Sequence, residues 1–134
     1  MDRVLDAAAT GPRYLQMPEI ADMVVSALRA GDLEFHRYDL PAFVVMSNHV
    51  HILVTPRVID THWLGPLKGF TAHQGNKLLG LHGRAFWQDE SYDHLVRTGE
   101  EYRRIRSYIE CNPVKAGIVA CATEFRWSSA RTAA

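Results

Sequence analysis

The sequence has few cysteines, no excess of charge and no long apolar run, and each absence excludes a class of protein. Its two cysteines, Cys111 and Cys121, are too few for a disulfide scaffold and lack the paired spacing of a zinc site. Fifteen basic and fifteen acidic residues leave no overall attraction to nucleic acid or to an anionic membrane. The apolar runs fall far short of the roughly 20 residues that cross a bilayer, and the start MDRVLDAAATG lacks the apolar core of a signal peptide. The sequence therefore predicts a cytoplasmic protein with no membrane partner.

What is present fits one compact domain. The chain has 134 residues, 47% of them hydrophobic, and no linker or repeat divides it, so we predict a single domain over 1–134. Charge is unevenly distributed, because residues 94–134 contain seven Lys or Arg and four Asp or Glu. A phosphate-bearing partner is therefore expected to contact the C-terminal third.

The hydrophobic pattern predicts three helices and a β-hairpin. Helices are expected over 18–31, from 67 to about 83, and over 98–112. The last of these begins with a capping-box pattern, Thr98 and Glu101, and Pro113 is expected to end it. Two β-rich runs, LEFHRYDLPAFVVM and HVHILVTP, are separated by Ser47 and Asn48, which suit a tight turn. Residues 92–97 form a further candidate strand.

Two histidines, His49 and His51, flank Val50 in the second β-rich run. Alternate residues of a strand point to the same face, so the two imidazoles converge and can hold one divalent metal. The simpler alternative is a pair of polar residues on a strand face.

Tyr108 and Asn112 are one turn apart on the last predicted helix, so the hydroxyl and the amide oxygen share a face. The amide oxygen could complete a metal site begun by the histidines. The alternative is that Tyr108 packs in the core and Asn112 caps the helix, and spacing alone favours this alternative. A phenol with a pKa near 10 needs a nearby cation to become a nucleophile. Such a tyrosine could attack a phosphodiester, form a covalent phosphotyrosine and transfer the strand.

Basic residues that could contact DNA surround these positions, although basic residues more often form a solvated face. They are Lys68 on the middle helix, Arg97 and Arg104 on or beside the Tyr108 helix, with Arg103 and Arg106 next to them, and Lys115 in the following turn.

Several long motifs together make the sequence resemble the REP-associated tyrosine transposases, a group of the single-tyrosine HUH transposases. They are MSNHVHILVTP, KGFTA, FWQDESYDHLVR, YIECNPVKAGIV and RWSSA, in that order. The resemblance implies an α+β fold, a ferredoxin-like antiparallel sheet with helices packed on one face. It also implies cleavage and rejoining of single-stranded DNA at hairpin or repetitive palindromic sequences, with Mg²⁺ or Mn²⁺, by a monomer or a homodimer.

The resemblance also implies roles for particular residues. His49, His51 and Asn112 correspond to the metal ligands, Tyr108 to the nucleophile that forms a 5′-phosphotyrosine, and Lys68 to a DNA contact.

One departure from the family pattern affects the expected activity. Residues 1–16 resemble the linker that follows the family's first strand, so that strand is expected to be missing and the core to span 17–130. The loss of a central strand would leave backbone groups unpaired. An alternative to an active transposase is therefore a catalytically impaired DNA-binding relic of the same fold, and a third possibility is a small metal-dependent hydrolase.

Overall fold

The structure, a computed structural model, describes residues 2–10, 14–59, 61–81 and 83–132. Over these ranges the chain forms one four-stranded sheet, three long helices and a short fourth helix. In chain order they are β1 (Arg3–Ala9), α1 (Pro18–Leu33), β2 (Tyr38–Val45), β3 (His49–Pro56), α2 (Thr61–Leu79), β4 (Trp87–Leu95), α3 (Gly99–Lys115) and α4 (Ser129–Thr132). The strands lie in the order β2-β3-β1-β4 with antiparallel neighbours. The predicted α+β class with a ferredoxin-like sheet is confirmed.

The prediction that the first strand is missing is wrong, because residues from the expected linker form β1. This strand is central and pairs with β3 on one side and with β4 on the other. Its sequence RVLDAAA contains three alanines and no aromatic residue, so its strand propensity is weak. Pairing on both edges and burial of Ala7 and Ala9 compensate for that weak propensity. Residues 3–9 therefore belong to the core of the fold.

The sheet carries helices on both faces. Leu5, Val50 and Ile52 pack on one face with α1 and α2, whereas Val44 and Leu53 pack on the other with Ile109 of α3. Helices α1 and α2 thus form a layer on one face of the sheet. The prediction that all helices pack on one face is wrong, because α3 packs on the other face. The physical reason is that β2 and β3 are apolar at successive positions, so both of their faces need cover.

Helix α1 begins with Pro18 in its first turn, as predicted, but it passes through Gly31 and ends at Leu33. Gly31 is needed for close packing rather than as a stop, because a Cβ atom there would overlap the Tyr38 side chain. The Tyr38 hydroxyl donates to the carbonyl oxygen of Leu28 at 2.7 Å. This contact fixes α1 against the start of β2.

Helix α2 begins before Pro66, whereas the sequence pattern placed its start after that residue. Its end at Leu79, followed by Gly80 with a positive φ of 70°, is earlier than the predicted 83. Strand β4 is longer than the predicted strand at 92–97, because it begins at Trp87.

Helix α3 has the predicted start, since the Thr98 side chain accepts from the Glu101 amide at 3.0 Å. The Glu101 carboxylate in turn accepts from the Arg97 amide at 2.9 Å. Pro113 does not end the helix, which continues to Lys115 and is followed by Gly117 with a φ of 75°. Pro113 removes one backbone hydrogen bond from the last turns without ending the helix, so Asn112 is inside the helix rather than at its cap.

The predicted hairpin is confirmed, with β2 and β3 joined at 46–48. Pro41 lies on the edge strand β2 at a register shift between Asp39 and Ala42, where a residue without an amide proton is tolerated. The chain after α3 covers part of this edge, because the Val45 amide donates to the Trp127 carbonyl at 2.9 Å. Of the helices in the described ranges, none is both long and apolar enough to span a membrane.

Candidate functional site

The two histidines of β3 converge on the sheet face that carries α3. His49 and His51 are two residues apart on the strand, and their ring centroids are 4.6 Å apart at an interplanar angle of 80°. His51 is 7% exposed, while His49 is half-buried nearer the hairpin turn. The predicted convergence of the two imidazoles is therefore present in the fold.

In each of the two histidines, the ring nitrogen Nδ1 forms a hydrogen bond with a side-chain oxygen. Nδ1 of His49 lies 2.7 Å from Oδ1 of Asn48, and Nδ1 of His51 lies 2.5 Å from Oδ1 of Asp6. An amide oxygen and a carboxylate can only accept, so in both rings Nδ1–H donates. In a neutral ring this leaves the lone pair on Nε2, which is the form that binds a metal.

Nε2 of His51 is an unusual atom in this fold. It is buried, and no hydrogen-bond partner for it exists among the residues that the structure describes. Buried polar atoms in proteins nearly always have a partner, so this one calls for an explanation. A divalent cation bound by the two histidines would satisfy the atom, and the donor set therefore fits the metal that the resemblance implies.

The environment of His49 favours its neutral form. Burial lowers the pKa of His49 below its usual value, and the neighbouring His51 lowers it further, while Asp6 opposes the shift. A neutral imidazole is the metal-binding form, so the site is suited to a cation near neutral pH.

Tyr108 lies beside this pair on α3. Its ring centroid is 6.0 Å from that of His51, and the Lys115 ammonium is 5.9 Å from the centroid of the tyrosine ring. Tyr108 is 49% exposed, so it is not the core residue of the packing alternative. The neighbouring Ile109 is fully buried and anchors this part of the helix against the sheet. The fold thus places an accessible phenol between a buried histidine and a cation.

Asn112 follows Tyr108 by one helical turn and is half-buried. Its backbone carbonyl accepts from the Ala116 amide, so the residue has a place in the helix irrespective of its side chain. Within the described ranges, no cluster of three or more His, Cys, Asp or Glu side chains could hold a metal. The third protein ligand that the resemblance implies is Asn112, whose amide oxygen is not one of these types. The assignment of Asn112 as that ligand stays a prediction.

Among the described residues, Lys115 is the proposed DNA contact whose charged group lies over the Tyr108 ring. Arg104 precedes Tyr108 by one turn and lies 3.9 Å from the Glu101 carboxylate. Arg97 is exposed before the start of α3, roughly 15 Å from Tyr108 along the helix axis. Lys68 belongs to α2, on the opposite face of the sheet from the histidines, where it lines a small cavity with Ala7 and Trp87. DNA contacts by these residues stay predictions.

The sequence reasoning missed Asp6 as a site residue because it treated residues 1–16 as a linker. Local sequence offered no clear signal, because Val4 and Leu5 are both apolar and the segment shows no alternation of polar and apolar residues. Cys111 and Cys121 are exposed free thiols. Among the described residues, no metal-binding cluster includes either of them.

Comparison with known proteins finds a curated relative and several similar solved structures, while no family model matches the chain. The relative is the REP-associated tyrosine transposase of Escherichia coli K12, 30% identical over 96 residues. The match covers 69% of this chain and 54% of the relative, so the chain spans about half the length of that protein.

Two of the solved structures are a REP-associated tyrosine transposase bound to a REP hairpin and a protein of Deinococcus radiodurans R1 described as a candidate transposase. The first has a TM-score of 0.75 at 21% identity and covers 96% of this chain and 75% of that one. The second has a TM-score of 0.56 at 24% identity and covers 82% of this chain and 88% of that one. At these identities the matches establish the fold, which this chain shares with transposase domains. The resemblance to the REP-associated tyrosine transposases is confirmed.

Proposed function

We propose that the chain is a metal-dependent endonuclease and strand transferase for single-stranded DNA that acts at hairpin or repetitive palindromic sequences. The observation that carries the proposal is the position of Tyr108, which is accessible and lies beside His51. The Nε2 atom of His51 is buried and has no hydrogen-bond partner among the described residues. The relative in Escherichia coli is named a transposase, and the structural neighbour is bound to a REP hairpin. Both descriptions favour hairpin DNA as the substrate class.

The residues that would hold the cation are His49 and His51, with the amide oxygen of Asn112 as the third protein ligand. A bound Mg²⁺ or Mn²⁺ would supply a positive charge that polarises the scissile phosphate and favours the phenolate. Imidazole ligands suit Mn²⁺ better than Mg²⁺, so the choice of metal has to be measured.

Tyr108 is the nucleophile of the proposed reaction. Its oxygen forms a bond to phosphorus, the bond from phosphorus to the 3′ oxygen breaks, and the phenol proton passes to solvent while the released 3′ oxygen takes up a proton. The 5′ phosphate remains on Tyr108. When a 3′ hydroxyl attacks this phosphotyrosine, the reaction runs in reverse, so strands can be rejoined without an external energy source.

Lys115 would assist by its charge. Its ammonium lies within 6 Å of the Tyr108 ring centroid, where it can neutralise an oxygen of the approaching phosphate. Because Tyr108 is half-exposed, a strand can reach the phenol without a rearrangement of the core.

Two alternatives predict different products. A catalytically impaired DNA-binding relic was suggested by the expected loss of the first strand, and the presence of β1 removes that reason. A metal-dependent hydrolase using the same histidines would release cleaved DNA with multiple turnovers and would tolerate Tyr108→Phe.

The experiment uses the protein with Mg²⁺ or Mn²⁺ and end-labelled single-stranded hairpins from the DNA flanking its gene. We expect a labelled band that survives denaturation and is absent with Tyr108→Phe. Tyr14→Phe is the matched control and should form the adduct normally, because Tyr14 stacks on Phe86 and packs with the core on the face of the sheet that α1 and α2 cover. Cleavage that persists in Tyr108→Phe would favour the hydrolase, whereas binding without cleavage in the wild type would favour the relic.

A further inference from the structure

Asp6 joins the central strand to the histidine pair. In the register of the sheet Asp6 is directly opposite His51, and its carboxylate accepts from Nδ1 of His51 at 2.5 Å. We propose that Asp6 is a positioning residue that keeps the proton of the His51 ring on Nδ1, so that Nε2 presents its lone pair. The cation that would use this lone pair rests on the proposed function, whereas the tautomer does not.

The ring needs such a partner because a neutral imidazole carries its proton on either nitrogen. The hydrogen bond at one nitrogen decides which tautomer forms. A carboxylate only accepts, so Asp6 selects the tautomer with Nδ1–H. With the proton on Nε2 instead, this nitrogen could not bind a metal, and a buried N–H would be left without an acceptor among the described residues.

The position of Asp6 suits a positioning role better than it suits the role of a metal ligand or of a surface charge. Its Oδ1 is engaged by His51, and the side chain is only 34% exposed. The strand that carries Asp6 is paired on both edges, which holds the carboxylate at a fixed distance from β3. His49 has a comparable partner in Asn48, but that residue lies in the hairpin turn, outside the strands.

The first measurement is the tautomer of His51 in metal-free, ¹⁵N-labelled protein, read from long-range ¹H–¹⁵N spectra of the imidazole rings. We expect His51 in the wild type to carry its proton on Nδ1. In Asp6→Ala we expect this preference to be lost. Manganese binding, followed by the EPR signal of free Mn²⁺, should weaken by about tenfold to a hundredfold in that variant, the usual effect of losing an outer-shell partner.

Two further variants separate positioning from charge and from direct ligation. Asp2→Ala removes the same charge four residues earlier, where the carboxylate accepts from Thr55 on β3, and it should leave the tautomer and Mn²⁺ affinity unchanged. Asp6→Asn keeps an acceptor oxygen and should retain the Nδ1–H tautomer with most of the affinity.

The proposal is overturned if wild-type His51 carries its proton on Nε2, a result that needs no variant to fold. It is also overturned if Asp6→Ala behaves like Asp2→Ala. If Asp6→Asn keeps the tautomer but binds Mn²⁺ as weakly as Asp6→Ala, Asp6 is a direct ligand and not a positioning residue. No DNA is present in these measurements, so a wild type with the Nδ1–H tautomer but no covalent adduct would refute the proposed function alone.

Discussion

The Lys115 ammonium lies 5.9 Å from the centroid of the Tyr108 ring, and the two residues are separated by two turns of the same helix. Helix α3 reaches Lys115 only because it continues through Pro113. Had the helix ended there, as the sequence pattern predicted, no regular backbone would hold the cation near the phenol. The continuation of α3 is therefore part of the candidate site.

The first prediction concerns this cation. Lys115→Gln keeps most of the side-chain length and removes the charge, so formation of the covalent adduct should slow by about tenfold to a hundredfold, the range expected for a hydrogen bond to a charged group. The dependence of hairpin binding on salt should also become slightly weaker. Single-turnover cleavage and binding at several salt concentrations measure the two effects.

The control is Lys77→Gln, which removes the same charge from an exposed position on α2, across the sheet from Tyr108. It should leave the cleavage rate unchanged. Equal slowing in both variants would mean that Lys115 acts through overall charge and not through its place beside the phenol.

The second prediction separates metal binding from DNA binding. His49→Ala and His51→Ala should each abolish adduct formation, because each removes an imidazole ligand, but much of the hairpin binding should remain. Adduct assays and equilibrium binding to a labelled hairpin measure the two properties. His73→Ala, at an exposed position on α2, is the control and should cleave normally. Normal cleavage by both strand variants would show that the metal site is assigned to the wrong residues.

Local sequence signals were sufficient for part of the fold and of the site. The Thr98 cap, the hairpin at 46–48 and the shared face of His49 and His51 each depend on residues close together in the chain. Such features follow from capping chemistry and from the two-residue period of a strand.

Features that depend on distant parts of the chain were not predicted. Strand β1 is stabilised by pairing on both edges rather than by its own alanine-rich sequence, and its partners are more than 40 residues away. For the same reason the contact between Asp6 and His51 is invisible to local patterns. Helix α3 lies on the second face of the sheet because Val44 and Leu53 need cover there, which no helix period reveals.

The third prediction follows from the lowered pKa of His49. Because burial lowers this pKa in the folded protein, the unfolded chain takes up a proton first as the pH falls through the ordinary value of about 6.5. This histidine's contribution to the free energy of unfolding should therefore be lost as the pH falls below about 6.5, and it should be constant above that value. Urea denaturation in EDTA between pH 5 and pH 8 measures the effect.

The matched variant for this test is His49→Gln, which keeps a polar side chain but does not titrate. Its free energy of unfolding should fall less steeply than that of the wild type below pH 6.5. Parallel curves for the two proteins would show that His49 has the same pKa in the folded and unfolded chains.

The fourth prediction tests the packing of α1 against β2. Gly31→Ala places a methyl group where the Tyr38 side chain lies, so it must displace the ring and break the hydrogen bond from the Tyr38 hydroxyl to Leu28. We expect a loss of about 2–4 kcal/mol in the free energy of unfolding, from overpacking and from the lost hydrogen bond.

Gly69→Ala is the matched control, because Gly69 is also inside a helix and nothing lies within 4 Å of its added Cβ. That change should stabilise the protein by about 0.5–1 kcal/mol through helix propensity. Equal effects of the two substitutions in urea denaturation would mean that Tyr38 does not pack on Gly31 as described.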